Sequence, residues 1–277
     1  MSEQNDNGDA RPGSLISAHA RAVMSEAQAA AVDKALAEES AARRHLVVYL
    51  SGSHAYGFPS PDSDVDLKAV HIAPTSKLVG LHAGKLHRDR LEMIDDIEVD
   101  YTSNELGPVL RGILSGNGNY IERILGSLYV TTSPAHQALI PLVKNSLARN
   151  AFGHYAGFAT SQRKAVDDSE TPRAKNVLYV LRTALTGTHL LATGEMVIDI
   201  TELMDDHGFG AARELIAIKQ SGERTELEAR DAVRWRGELD RAMDGLVAAR
   251  DRSPLPEKPE NGAELNAWLV ETRKAFW

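Results

Sequence analysis

The chain has 277 residues, 43% of them apolar, enough for one large domain or two small ones sharing an interface. Acidic residues outnumber basic ones by 39 to 31, a formal charge of −8, so any contact with nucleic acid must come from a local patch rather than the global field. The absence of cysteine excludes disulfides, Cys-ligated zinc and cysteine nucleophiles, and no run approaches the roughly 18 apolar residues of a membrane span, so a cytoplasmic protein is expected.

Residues 1–13 are polar, contain Gly and Pro, and lack the apolar core of a signal peptide; they predict a disordered tail. An Ala-rich stretch from Ser14 to Arg43 predicts a helix. The block His45–Leu50 is short, apolar and β-branched, which predicts a buried strand. Ser51–Ser63 has turn chemistry, with two Gly, two Pro and four Ser. Asp64–Ile72 alternates like a strand, with Asp64, Asp66 and Lys68 on one face and Val65, Leu67 and Ala69 on the other. A third strand is predicted from about Leu91 to Thr102, where Asp96, Glu98 and Asp100 share a face. After Asn104 strand signals nearly vanish. Amphipathic helices are predicted at about 104–115, 118–126, 134–148, 152–167, 172–192, 209–220, 224–250 and 262–275, punctuated by Gly126, Gly153, Gly194 and Gly208. The expectation is an α+β chain: an α/β domain with a small mixed sheet over 14–130, then a helical domain over 131–277.

Two aspartates at i and i+2 of a strand project from one face, so Asp64 and Asp66 can reach one metal ion. Magnesium is a hard ion that takes carboxylate oxygens. A third carboxylate from a neighbouring strand would complete such a site; Asp100 is the first candidate, with Glu98 and Asp96 on the same face. A strand that ends in Gly-Ser and turns into a helix offers free N–H groups to phosphates, so Gly52 and Ser53 are candidate triphosphate contacts. Asp62 reads as a turn residue.

The hydrophobic-Gly-Ser turn at Leu50-Ser51-Gly52-Ser53, ten intervening residues, and Asp64-Val65-Asp66 together resemble the nucleotidyltransferases of the DNA polymerase beta superfamily. The wording GSHAYGFPSPDSDVDLKAV is similar to the RlaP-type branch, predicted nucleotidyltransferases associated with RNA repair. Further similarity runs through Leu106–Leu110, Gly116–Glu122, Lys175-Asn176 with Tyr179 and Arg182, Thr193–Glu195 and Ser253–Pro256, so it covers most of the chain from about residue 45. Gly118 stands where the family often has proline, and the basic residue common early in the helix after the third strand is replaced near Gly107-Pro108. The resemblance implies transfer of a nucleoside monophosphate from an NTP, with ATP expected on abundance, to an acceptor hydroxyl. It implies two magnesium ions, with manganese able to substitute, held by Asp64, Asp66 and Asp100. An RNA or DNA 3′ end is the suggested acceptor; a protein or small-molecule hydroxyl is the alternative. A non-catalytic nucleotide-binding partner of a toxin–antitoxin-like system is a third reading, and the presence of all three carboxylates argues against it.

In the helical half, Lys175, Tyr179 and Arg182 fall at i, i+4 and i+7 on one helix face. Tyr suits a base or ribose, and Lys and Arg suit phosphates. The alternative is a solvated face. Gln162-Arg163-Lys164, with Arg173, forms a second basic spot expected to be an exposed charge cluster. His54 is expected to be incidental, and Arg234, Trp235, Arg236 and Trp268 to be packing and surface residues.

Overall fold

The protein is described from a computed structural model over residues 15–79, 81, 84–222 and 225–277. The tail expected to be disordered, 1–13, lies outside the described residues, as do Ser14 and Arg224, where two helices were expected to begin.

The Ala-rich stretch is two helices, α1 (Ala18–Ala22) and α2 (Glu26–Ala42). The break falls at Ser25, which caps α2 in a reciprocal capping box with Gln28. Strand β1 (Arg44–Leu50) leads through the short α3 (Gly52–Ala55) to β2 (Val65–Ile72). The single strand expected over 91–102 is instead a hairpin, β3 (His87–Ile94) and β4 (Ile97–Glu105). Asp95 and Asp96 form its two-residue turn, both at positive φ (49° and 66°), the backbone a tight hairpin requires. Asp tolerates that conformation, and so the turn carries no glycine to announce it.

Helices α4 (Leu106–Leu114) and α5 (Gly118–Leu125) follow, then a strand the sequence did not suggest, β5 (Tyr129–Thr132). The rest is helical: α6 (Pro134–Lys144), α7 (Phe152–Asp167), α8 (Ala174–Thr193), α9 (Ile200–Leu203), α10 (Arg213–Gln220), α11 (Ala229–Arg252) and α12 (Gly262–Lys274). All eight helices expected after residue 104 are present, α7 with the expected bounds and the others with shifted ends.

The sheet has the order β3-β4-β2-β1-β5 and is mixed: β2 pairs β4 in parallel, and every other pair is antiparallel. Its faces feed two cores. Val48, Leu50, Val65, Leu67 and Tyr101 pack with α1, α2, α10 and the first half of α8. Leu46, Val47, Val70 and Ile72 pack with α4, α5, α6 and α12, and Leu190 and Leu191 of α8 join them. Both cores therefore draw on residues from either side of position 130. The face of β2 that buries Val70 and Ile72 continues to Lys68 and Asp66, which are only half-buried. That transition from core to cleft positions the site.

Candidate active site

Asp66 and Asp100 stand directly opposite each other in the parallel β2–β4 register. The Lys68 ammonium, two residues along the same face, donates to Asp100 Oδ2 at 2.7 Å and lies 3.5 Å from Asp66 Oδ1. Burial raises the Asp66 pKa above its usual value; Lys68 works against that rise, while the charges of Asp100 and Asp64 add to it. Asp64 is exposed just before β2 begins and is not among the residues that line the cleft. Glu98 is one step before Val99, the partner of Val65, and Asp96 sits in the hairpin turn. Of the three carboxylates considered for the neighbouring strand, only Asp100 is level with Asp66.

Gly52 lies against the Asp66 carboxylate at φ +64°, a conformation that favours glycine. A Cβ there would run into Asp66 Oδ2 and stand 2.9 Å from its Cγ. The Ser51 N–H donates to the Asp66 carbonyl at 2.8 Å, which ties the end of β1 to β2 at this point. Ser53 is buried in α3 and lies outside the cleft lining.

The cleft itself has a volume of about 180 Å³. Gly52, Asp66 and Tyr179, all singled out in the sequence, line it together with Tyr56, Lys68 and Arg123. Helix α8 divides its three candidates by depth. Tyr179 reaches the cleft and packs edge-on to Tyr56 and Phe58, with ring centroids 5.7 and 5.5 Å away. Lys175 lies beside it, its ammonium 5.8 Å from the Tyr179 ring. Arg182 does not reach the cleft. It is 2% exposed, donates to Glu122 Oε1 at 2.8 Å and stacks 3.9 Å over the Tyr56 ring. Despite its burial, the Glu122 charge raises the Arg182 pKa, so the guanidinium stays charged.

Arg123 escaped the sequence reading. It donates to Asn104 Oδ1 at 2.5 Å, and no ion pair within 4.0 Å is seen for it among the described residues. Burial lowers its pKa, outweighing the opposite pull of Tyr120, Glu122 and Asp89. The available signal was the spacing of Asn119, Glu122 and Arg123 at i, i+3 and i+4 of α5, one helix face. In the second basic spot Arg163 pairs with Asp167 and Asp240, and Lys164 is exposed. Outside that spot, Arg236 donates to the Val166 and Ser169 carbonyls. Trp235 is a core residue.

Asp66 and Asp100 already converge on one cation, the Lys68 ammonium, and carboxylate oxygens are the donors a hard divalent ion takes. The donor chemistry therefore fits magnesium. Among the described residues no three His, Cys, Asp or Glu side chains are gathered into a ready metal set, so water and substrate oxygens would complete the shell of an ion held by these carboxylates. No described helix is long and apolar enough to cross a membrane.

An uncharacterised protein of Methanocaldococcus jannaschii is 30% identical over 158 residues, which is 56% of this chain and 64% of that protein. The uncharacterised protein YcgL of Bacillus subtilis is 27% identical over 239 residues, 82% of this chain and 88% of its own. A nucleotidyltransferase-like protein from Exiguobacterium sibiricum, known from its crystal structure, aligns over 89% of this chain and 79% of that one, with 10% identity and a TM-score of 0.32, too distant to argue from. The family model described as the RNA repair pathway DNA polymerase beta family matches residues 24–271, and with a match of that extent the chain belongs to this RlaP family.

Proposed function

We propose that the protein moves a nucleoside monophosphate from an NTP, ATP by expectation, to an acceptor hydroxyl. The observation that carries this reading is the Asp66–Asp100 pair, in register on adjacent strands and converging on one cation, with Gly52 against the Asp66 carboxylate. In the transfer the acceptor oxygen bonds to the α-phosphorus, the bond from that phosphorus to the bridging β-oxygen breaks, and pyrophosphate leaves.

Asp64, Asp66 and Asp100 would hold divalent cations. When bound, such ions neutralise the triphosphate and lower the pKa of the attacking hydroxyl. Arg123 faces the cleft without a carboxylate partner within 4.0 Å among the described residues and would take a phosphate oxygen. Tyr179 and Tyr56 offer aromatic surface to the nucleoside, with Arg182 and Glu122 holding Tyr56 from behind. Gly52 and the first turn of α3 would let the phosphates approach the backbone. Tyr179 comes from α8, so the helical half supplies one wall. The family's description favours an RNA or DNA 3′ end as acceptor.

The test is incubation with magnesium, each α-labelled NTP, and RNA, DNA, protein and small-molecule acceptors. Label should enter one acceptor class with the wild type and fall at least about a hundredfold with Asp66→Asn. Binding of an NTP without incorporation into any acceptor would defeat the transfer reading and favour a nucleotide sensor.

A further inference from the structure

The far end of the sheet carries a groove of about 750 Å³ that the transfer chemistry does not use. Its walls are the end of α2, the start of β1, the loop after β2, and the C-terminal residues Ala275–Trp277. The walls are tied together: the Thr75 N–H donates to the Phe276 carbonyl at 2.7 Å, and the Thr75 hydroxyl to the Arg273 carbonyl at 2.8 Å. The Gly84 N–H donates to the Lys77 carbonyl at 3.0 Å, which brings Lys77 and Lys85 to one loop neck.

The lining is cationic. Arg43, Arg44, Lys77 and Lys85 contribute to it, and among the described residues no Asp or Glu lines it. Arg43 pairs with Glu39, but for Arg44, Lys77 and Lys85 no ion pair is seen among the described residues. These three are exposed. A second cavity of about 280 Å³ shares Arg43, His71 and Lys85 and adds His87 and Arg88; Glu39 also lines it and pairs with Arg43 and Arg88, so Lys85 carries the positive surface on into it. On a chain of net charge −8 this is a concentrated reversal of sign.

The groove also has an aromatic shelf. The Arg44 guanidinium stacks 4.0 Å over the Phe276 ring, and Trp277 is 79% exposed beside it. Unpaired cations that can follow a phosphate backbone, with an exposed ring on which a base can stack, are the two parts of a single-strand nucleic-acid site.

We propose that this groove binds a single-stranded segment of nucleic acid, the strand whose end is presented to Asp66. It rests on the transfer reading only for that last clause. The groove lies beside Arg44 at one end of β1, and Gly52 follows the other end. Six strand steps between Arg44 and Leu50 make about 20 Å. A stacked strand rises about 3.4 Å per nucleotide, so at least about six nucleotides must separate the reacting end from the groove. Short acceptors would then be blind to it.

The experiment measures anisotropy of fluorescein-labelled 20-nucleotide RNA and DNA of one unstructured sequence, without NTP or metal, over a range of salt. Lys77→Ala with Lys85→Ala should weaken binding at least about tenfold and reduce the salt slope by about 1.4, two single-strand phosphate contacts. Trp277→Ala should weaken it about fivefold or more, with little change in slope. The RNA and DNA arms identify which sugar is preferred. The double variant should keep the wild-type melting temperature, since both side chains are exposed. With a labelled NTP, it should raise KM for a 20-nucleotide acceptor and leave a three-nucleotide acceptor unchanged. The groove reading is overturned if the double variant binds strands like the wild type, if the wild type binds no strand, or if polyglutamate displaces the strand at equal concentration, which would mark an acidic-protein site. Strand binding lost in the variant with no transfer by the wild type overturns the transfer reading alone.

Discussion

Gly52 shows how one residue type can be required twice. Its φ of +64° disfavours any side chain, and the space where a Cβ would go is filled by the Asp66 carboxylate. Alanine there would suffer a left-handed backbone and a collision with the central carboxylate. Relief must come from moving Asp66, because the competing atoms belong to the strand on which the cleft is built. Gly52→Ala is therefore expected to lower kcat about a hundredfold, the scale of a misplacement near 1 Å, and to cost about 1–3 kcal/mol of stability. Steady-state kinetics and urea unfolding check both; an alanine variant with wild-type kcat would show that Asp66 need not lie where it does. Lys68 belongs to the same scale. Spaced like a third member of the Asp-x-Asp series, it holds two carboxylates together that would otherwise repel.

At the scale of elements, α5 and α8 divide the cleft's polar groups. Asn117 caps α5, and the helix then carries Asn119, Glu122 and Arg123 on the face toward β4 and β2. Glu122 is spent on Arg182, a buried pair whose separation would strand a charge in the interior. Arg123, one residue on, donates to the neutral Asn104 amide oxygen and lies over the Tyr120 ring, with no ion pair seen among the described residues. Arg123→Ala should accordingly leave the fold intact and weaken NTP binding about tenfold to a hundredfold, the range of a charge-assisted hydrogen bond. Calorimetry with magnesium and NTP, paired with a thermal melt, separates these outcomes; unchanged affinity would remove Arg123 from the proposed phosphate contacts. The Lys175-Tyr179-Arg182 stripe teaches the complementary lesson. Helical spacing identified one face but not its depth, and depth sends Tyr179 to the cleft and Arg182 to the core.

Across the whole molecule, the cores and ion pairs bind the chain's halves together. Arg182–Glu122 joins α8 to α5, and Arg273 of α12 reaches both oxygens of the buried Glu105 at 2.9 Å. Three histidines around the sheet make this assembly sensitive to acid. His45 and His71 face each other on β1 and β2, and His54 is buried in α3. Burial lowers each to about 4, helped by Arg43 at His45 and His71 and by Lys219 at His54. They stay neutral when folded but take up protons near pH 6.5 when unfolded. Stability is thus complete above pH 6.5 and falls as the pH drops toward 4, by about 1.4 kcal/mol per pH unit for each histidine. His54→Gln should flatten that slope by one histidine's share, read from urea unfolding at steps between pH 7 and 4.5. An unchanged slope would mean that His54 takes up its proton in the folded state.

Local chemistry was legible in the sequence wherever a short segment carried the whole constraint. Apolar and alternating blocks gave away β1 and β2, caps and glycines the later helices, and the Gly-Ser turn with Asp64 and Asp66 the family. The β3–β4 hairpin was missed because aspartates filled the left-handed turn, and β5 because four residues are too few for a period. Which carboxylate faces Asp66 depended on a parallel register between strands more than thirty residues apart. The neutral partner of Arg123, the burial of Arg182 and the basic groove lined by Ala275–Trp277 depended on tertiary structure for the same reason. Charge partners and burial are properties of surfaces brought together from distant parts of the chain, and no local pattern encodes them.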